Sequence, residues 1–271
     1  MFESLRIGFI GGGNMGEALM KGLLSATSLE AGQISVYDVS KPRMKYLEST
    51  YKIQLKPNAG ELAATSDVIL LAVKPQTMSA VLGDIHDHLA HAPLVISIAA
   101  GVSLSFLSTG LPQGTPIIRV MPNTPALVLQ GASTLARGAA VEDRHMDIGV
   151  ALFQAVGKAV EVQESLMDAV TGLSGSGPAY ILLVIEGLID AGVLMGLPRQ
   201  TSRDLVLQTI MGTVRMVQET GSHPAVLKDL ITSPGGTTIR GLQVLEDRGV
   251  RGAIMEAVEA ATLRSQELGK K

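Results

Sequence analysis

The sequence predicts an α/β parallel-sheet domain followed by an all-α C-terminal domain. Two observations carry that reading. Short apolar segments alternate with helical patterns up to about residue 160, and from Glu164 to Lys271 only helical periodicity remains. A third observation fits both halves: hydrophobic residues make up 46% of the 271 positions and charged residues 17%, enough to build a large core. Aromatic residues are only 3%, so that core is aliphatic.

The elements follow in order. Leu5 to Ile10 reads as a buried strand, and Asn14 to Ala26 as a helix with Met15, Ala18, Leu19, Gly22 and Leu23 on one face. Ile34 to Tyr37 is a strand, Pro42 to Thr50 a helix, and Asp67 to Val73 a strand covered on both faces. Pro75 to Leu89 then fits a helix, with strands at Leu94 to Ala99, Ile117 to Met121 and Ala132 to Ala136. The domain boundary is placed at residue 162, giving ranges 1–162 and 163–271. In the second range, breaks are expected at Gly172 to Pro178, Gly196 to Pro198, Gly221 to Pro224 and Pro234 to Gly236. The helix from Ala179 to Leu197 is apolar on most faces, so it lies inside its own domain or against a second subunit.

Composition excludes several classes of function. The chain has no cysteine, which rules out disulfides, thiolate nucleophiles and Cys-type metal sites and is compatible with the expected cytoplasmic location. A net charge of −3 gives no reason to expect nucleic acid as a partner. Met1 to Ile10 lacks a signal-peptide layout, and Glu186 and Asp190 interrupt the most apolar stretch, so no membrane association is expected. His86, His88 and His91 cluster near a helix end without metal-ligand spacing, and no metal is expected.

Gly11-x-Gly13-x-x-Gly16 lies between the first strand and the first helix. In a Rossmann-like domain, Gly11 would permit the tight turn and Gly13 would let backbone approach a pyrophosphate. Gly16 would let the helix pack close, and the helix start would offer free N–H groups to the phosphates. Asp38 follows roughly 20 positions beyond Gly16, where a carboxylate accepts hydrogen bonds from the adenosine ribose. That favours NADH, but Ser40, Lys41 and Arg43 follow at once and could bind the 2′-phosphate of NADPH. The alternative for this basic pair is a solvated helix start, and the sequence leaves NADH against NADPH open.

Three further segments carry chemistry: Met121-Pro122-Asn123-Thr124-Pro125, Thr171-Gly172-Leu173-Ser174-Gly175-Ser176-Gly177-Pro178-Ala179-Tyr180, and Ser233-Pro234-Gly235-Gly236-Thr237-Thr238. The last is a Gly-Gly turn that delivers two hydroxyls and free N–H groups at a helix start, suited to a carboxylate; alternatively Thr237 or Thr238 is simply an N-cap. A nucleophile-elbow reading of Ser174 fails, because position 176 is Ser and no strand precedes it. Ser165-x-x-Asp168, beside Glu164, looks like a capping box.

These segments, with Gly8-Phe9-Ile10-Gly11-Gly12-Gly13-Asn14-Met15-Gly16 and the strand end Ala72-Val73-Lys74-Pro75, resemble pyrroline-5-carboxylate reductase over essentially the whole chain. The resemblance implies reduction of an imine, 1-pyrroline-5-carboxylate, to L-proline by hydride transfer from NADPH or NADH. It implies that Ile10, Gly11, Gly12, Gly13, Asn14 and Met15 hold the pyrophosphate and that Gly16 belongs to the same cofactor site, with Asp38 beside the ribose and Asn58 lining the adenosine end. By the same resemblance Ala72, Val73 and Lys74 run along the cofactor, and Ala100 lies near the nicotinamide. Glu164, Thr237 and Thr238 border the substrate, with the Thr238 hydroxyl at the ring nitrogen. Where some members carry Asn, this chain has Leu230, so a polar cofactor contact is absent there. The resemblance also implies a homodimer with interlocked C-terminal helices, often assembled into a larger ring. Two other readings compete: a 3-hydroxyacid dehydrogenase, for which the helical half offers Lys228, and a dinucleotide sensor without turnover.

Overall fold

The computed structural model describes residues 4–269; positions 1–3 and 270–271, which the sequence-based ranges include, lie outside. The chain divides into two compact units. One comprises residues up to Ser176 together with those from Ala260 on, and the other runs from Gly177 to Glu259.

The first unit is an eight-stranded sheet ordered β3-β2-β1-β4-β5-β6-β7-β8. Its strands are β1 (Ile7–Ile10), β2 (Ile34–Tyr37), β3 (Gln54–Leu55), β4 (Val68–Leu71), β5 (Leu94–Ser97), β6 (Ile117–Met121), β7 (Gly131–Arg137) and β8 (Gly157–Glu161). The first six pair in parallel, with β1 central between β2 and β4. This is the strand order of doubly wound dinucleotide-binding folds, where the order reverses beside β1 and opens a crevice at the strand ends. Helices α1 (Asn14–Ala26), α2 (Lys41–Tyr51), α3 (Ala59–Ala64), α4 (Met78–His86), α5 (Leu104–Thr109) and α6 (Asp143–Gln154) supply the connections.

Alternate strand residues feed two separate cores. Ile7, Phe9, Val68 and Leu70 join Leu19, Leu23 and Phe153 in one. Ile10, Ile69 and Leu71 join Leu62, Leu82 and Ile85 in the other. Both faces of the sheet are therefore dry, which explains why these strands read as continuous apolar runs.

The sequence-based reading needs three corrections here. First, β7 runs antiparallel to β6. The link between them holds only a 3-10 turn, Thr124–Val128, too short for the crossover that parallel strands require. Second, β8 pairs in parallel with β7 after α6; its mixed sequence and exposed edge gave no apolar run to detect. Third, the expected break at Gly172 to Pro178 is helical. Helix α7 (Met167–Val170) continues into a π-helical turn, Thr171–Gly175, whose Ser176 N–H donates to the Thr171 carbonyl at 2.9 Å. The Asn123 side chain fixes this wider turn. Its Nδ2 donates to the Ser174 carbonyl at 3.0 Å, and its Oδ1 accepts from the Ala132 N–H at 2.8 Å.

The second unit is helical throughout: α8 (Gly177–Leu194), α9 (Arg199–Thr220), α10 (Pro224–Leu230), α11 (Thr237–Asp247) and the part of α12 (Val250–Gly269) up to Glu259. The α8–α9 hairpin closes where Ser202 Oγ donates to the Ile189 carbonyl at 2.8 Å, and Arg199 pairs with Asp190. No residue of α8 is buried in the single chain, and Leu183 is 70% exposed. By length and composition alone, the helical stretch Glu164–Leu194 would suffice to cross a membrane. The last turns of α12 return to the first unit, where Ser265 Oγ donates to Asp168 Oδ1 at 2.6 Å.

Phe153 is fully buried in the larger sheet core. Its replacement by Ala should cost about 3–5 kcal/mol of unfolding free energy, read as a lowered urea midpoint at unchanged slope.

Candidate functional site

β1 ends at Ile10, and the chain turns at once. The Gly11 N–H donates to the Tyr37 carbonyl at 2.8 Å, and the Ala72 N–H donates to the Ile10 carbonyl at 2.8 Å, so the ends of β2 and β4 flank the turn. Gly11 has φ +101°, and a Cβ there would stand 2.4 Å from the Ala72 carbonyl oxygen, so only glycine fits. At Gly16 a Cβ would stand 2.7 Å from the Gly11 carbonyl oxygen, which is the close helix packing expected of that position. Gly13 is different: among the described residues, nothing lies within 4 Å of where its Cβ would be. Internal packing does not demand a glycine there, whereas a ligand resting on the loop would.

Gly13 is the N-cap of α1, and no side chain caps the helix. Among the described residues, the N–H groups of Asn14, Met15 and Gly16 have no partner within the chain. Open space over a glycine, free donors and the positive end of a 13-residue helix fit the pyrophosphate of a dinucleotide.

Asp38 closes the loop from the side. Its Oδ2 accepts from the Gly12 N–H at 2.7 Å and its Oδ1 from the Ser40 N–H at 2.8 Å. Ser40 in turn caps α2, its hydroxyl accepting from the Arg43 N–H. Arg43 reaches back to the carbonyls of Gly12 and Gly13, pairs with Glu17 and lies over the Tyr46 ring at 5.1 Å. Glu17 also accepts from the Tyr51 hydroxyl at 2.8 Å and the Tyr46 hydroxyl at 3.1 Å. Partial burial would raise the Glu17 carboxyl, but the hydrogen bonds from Tyr51, Arg43 and Tyr46 and the Arg43 charge bring it below its ordinary range. Burial and the neighbouring carboxylate push the Tyr51 phenol up to about 12. The sequence reading missed Glu17, although its place in the first turn of the phosphate-facing helix was a usable signal.

The other positions expected on the cofactor side differ in their surroundings. Ala72, Val73 and Lys74 follow β4, and Ala100 follows β5, so both segments leave the sheet at the same edge as Gly11. Ala100 helps line a cavity of about 410 Å³ with Pro75, Thr171, Ser176, Arg264 and Ser265. The Asn58 side chain is occupied as the N-cap of α3, accepting from the Glu61 N–H at 2.7 Å. Ile10 is buried within the core.

Glu164 belongs to the same unit. Its Oε1 accepts from the Leu104 N–H at 2.7 Å, at the start of α5, and from Arg119 Nη1 at 3.0 Å. The capping box read at Ser165 and Asp168 does not form: neither helix start there has a side-chain cap, and Asp168 instead accepts from Ser265. Arg119 escaped the sequence reading, though a lone charge within the apolar run Ile117–Met121 marked it.

In the second unit, Ser233 to Thr238 form a turn closed by the Gly236 N–H donating to the Ser233 carbonyl at 3.1 Å. Gly235 has φ +68°, which favours glycine, and a Cβ on Gly236 would meet Ser233 Oγ at 2.3 Å, so a side chain there would have to displace that hydroxyl. Gly236 is the N-cap of α11, with no side-chain cap. The alternative that Thr237 or Thr238 is the N-cap is therefore overturned: they are the first two helical residues. Among the described residues neither hydroxyl has a partner within the chain. Leu230 is 76% exposed at the end of α10.

The sheet order, the glycine loop and the acidic residue after β2 define a nicotinamide-dinucleotide oxidoreductase. Residues 164–268 match the family model for pyrroline-5-carboxylate reductase dimerisation, and residues 6–101 match that for coenzyme F420-dependent NADP oxidoreductases. The chain belongs to the pyrroline-5-carboxylate reductase family. It is 51% identical to the enzyme of that name from Synechocystis, with 99% of this chain and 100% of that one covered. Identity to the one from Methanosarcina acetivorans is 47%, over 99% and 100%. A solved pyrroline-5-carboxylate reductase from Coxiella burnetii superposes with a TM-score of 0.93 at 34% identity, over 98% of this chain and 99% of that one. The pyrroline carboxylate reductase of Plasmodium falciparum, solved with NADP bound, gives 0.89 at 38%, over 98% and 99%.

Because nothing packs over Gly13, Gly13→Ala should leave the melting temperature of the ligand-free protein unchanged. The same change should weaken dinucleotide binding about tenfold or more, measured by fluorescence titration.

Proposed function

We propose that this chain reduces 1-pyrroline-5-carboxylate to L-proline with a hydride from NAD(P)H, the closing step of proline biosynthesis, in the cytoplasm. The observation that carries the residue assignment is the start of α11, where Thr237 and Thr238 present uncapped N–H groups and free hydroxyls. The bound nicotinamide supplies the hydride. The N–H groups after Gly236 hold the substrate carboxylate, as helix starts hold anions. The Thr238 hydroxyl meets the ring nitrogen. One hydroxyl both donates and accepts, so it serves the imine and the amine product alike. Ile10 to Gly16, with Asp38, Asn58, Ala72, Val73, Lys74 and Ala100, hold the dinucleotide.

For Glu164 the structure favours a supporting role. Its ion pair with Arg119 and its bond to the start of α5 fix the segment that follows Ala100. In this reading its charge borders the substrate through that framework and favours the protonated imine, the better hydride acceptor.

The exposed apolar faces of the second unit support a homodimer built on residues 163–271, with a larger ring as a further stage. Leu182, Leu183, Leu194 and Met195 are all more than 60% exposed in the single chain, a surface that a second copy would cover.

A spectrophotometric assay with pyrroline-5-carboxylate, run in parallel with NADH and NADPH, tests the reaction. Turnover is expected with at least one of them, and none with 3-hydroxyacids. Thr238→Ala should lower kcat by roughly tenfold or more while the melting curve stays unchanged. Wild-type kinetics in that variant would remove Thr238 from the reaction. Sedimentation should find no active monomer.

A further inference from the structure

NADH and NADPH differ by one phosphate on the adenosine ribose. A Rossmann site reads that difference with the residue after β2 and the cations that follow it. This chain carries both kinds of reader, Asp38 for a free ribose hydroxyl and Arg43 for a phosphate. The structure shows how each is committed.

Asp38 is fixed at both oxygens. Backbone N–H groups of two different segments, Gly12 at 2.7 Å and Ser40 at 2.8 Å, hold the carboxylate against the phosphate-binding loop. A carboxylate oxygen accepts more than one hydrogen bond, so each retains capacity for a ribose hydroxyl. A carboxylate held this way cannot swing aside to admit a second anion without abandoning both N–H groups.

Arg43 is turned away from a phosphate role. Its Nε donates to the Gly12 carbonyl, its Nη2 to the Gly13 carbonyl at 3.4 Å, and the same Nη2 pairs with Glu17. Glu17 is held in turn by two tyrosine hydroxyls, Tyr46 and Tyr51. Recruiting Arg43 to a 2′-phosphate would strand a carboxylate in a partly buried site. Ser40 is spent as the α2 cap. Lys41 remains, exposed and solvated, and a single mobile ammonium is a weak counterweight to a fixed carboxylate.

We infer that this chain selects NADH over NADPH, with Asp38 excluding the 2′-phosphate and Glu17 withholding Arg43 from it. This rests on the dinucleotide reading of the loop and deepens it by naming the two residues that set the preference. It concerns binding, so it is tested apart from turnover.

The experiment is calorimetric titration of the full-length wild type, Glu17→Gln and Asp38→Asn with NADH and with NADPH. The wild type should bind NADH about tenfold or more tightly than NADPH, since juxtaposed like charges are strongly unfavourable. Glu17→Gln keeps acceptors for the tyrosines and removes the ion pair, leaving Arg43 held only by the Gly12 and Gly13 carbonyls. It should tighten NADPH several-fold and leave NADH nearly unchanged. Asp38→Asn keeps an acceptor for the Gly12 N–H and removes the charge, so it should shift the ratio toward NADPH by about tenfold.

Equal or tighter NADPH binding by the wild type would overturn the inference. An unchanged NADPH-to-NADH ratio in both variants would overturn the assignment to Asp38 and Glu17. If Glu17→Gln fails to fold, the wild-type ratio and Asp38→Asn still decide. Selective NADH binding without turnover of pyrroline-5-carboxylate would defeat the proposed reaction and leave this inference standing.

Discussion

The turn at Gly11 is the constraint on which the rest of the first unit depends. Two strand ends converge on it, and the Ala72 carbonyl presses so close that no side chain fits. With the turn fixed, α1 starts directly above the central strand, and its unpaired N–H groups all face the crevice where the strand order reverses. Asp38 then ties the loop to the end of β2, so a ribose-side residue and the phosphate-side loop share one rigid frame. At Gly11 and Asp38 the contacts that shape the loop also hold the fold: loosening them loosens the junction of β1, β2 and β4.

The second unit shows the opposite economy. Its helices satisfy their backbone internally but leave most of their apolar side chains uncovered. Aliphatic composition without aromatic bulk suits such a surface, because flat helix faces of Leu, Ile, Val and Met pack well against copies of themselves. The same lack of self-burial explains why the sequence leaves two readings of α8, one inside its own domain and one against a second subunit.

Much of the fold was legible in the sequence where apolar runs were long and punctuated by glycine. The strands from β1 to β6 announced themselves, except the two-residue β3. What stayed hidden was structure held by polar groups. The direction of β7 follows from a short connection and not from its own residues. The π turn at Thr171–Gly175 looks like a glycine-rich break until Asn123 is seen gripping the Ser174 carbonyl. The site divided in the same way. The glycines could be assigned from spacing because each answers a local steric demand. Glu17 and Arg119 were marked only by position, one in a first helical turn and the other as a lone charge in an apolar run; their partners, Arg43 and Glu164, lie far along the chain and could not be read from it. The two threonines were seen, but whether they cap or lead the helix depends on one backbone angle at Gly236 that no residue pattern encodes.

The last turns of α12 belong to the same compact body as the chain's first strand, joined there by the bond between Ser265 and Asp168. The helical unit is thus an insert, and the nucleotide-binding body is a split one whose second piece, from Ala260 on, follows that insert. During synthesis on a ribosome, that body stays incomplete until the residues after the insert have emerged, however early its sheet forms. A premature stop anywhere within the insert would therefore release a sheet that lacks its own closing helix as well as the missing downstream residues.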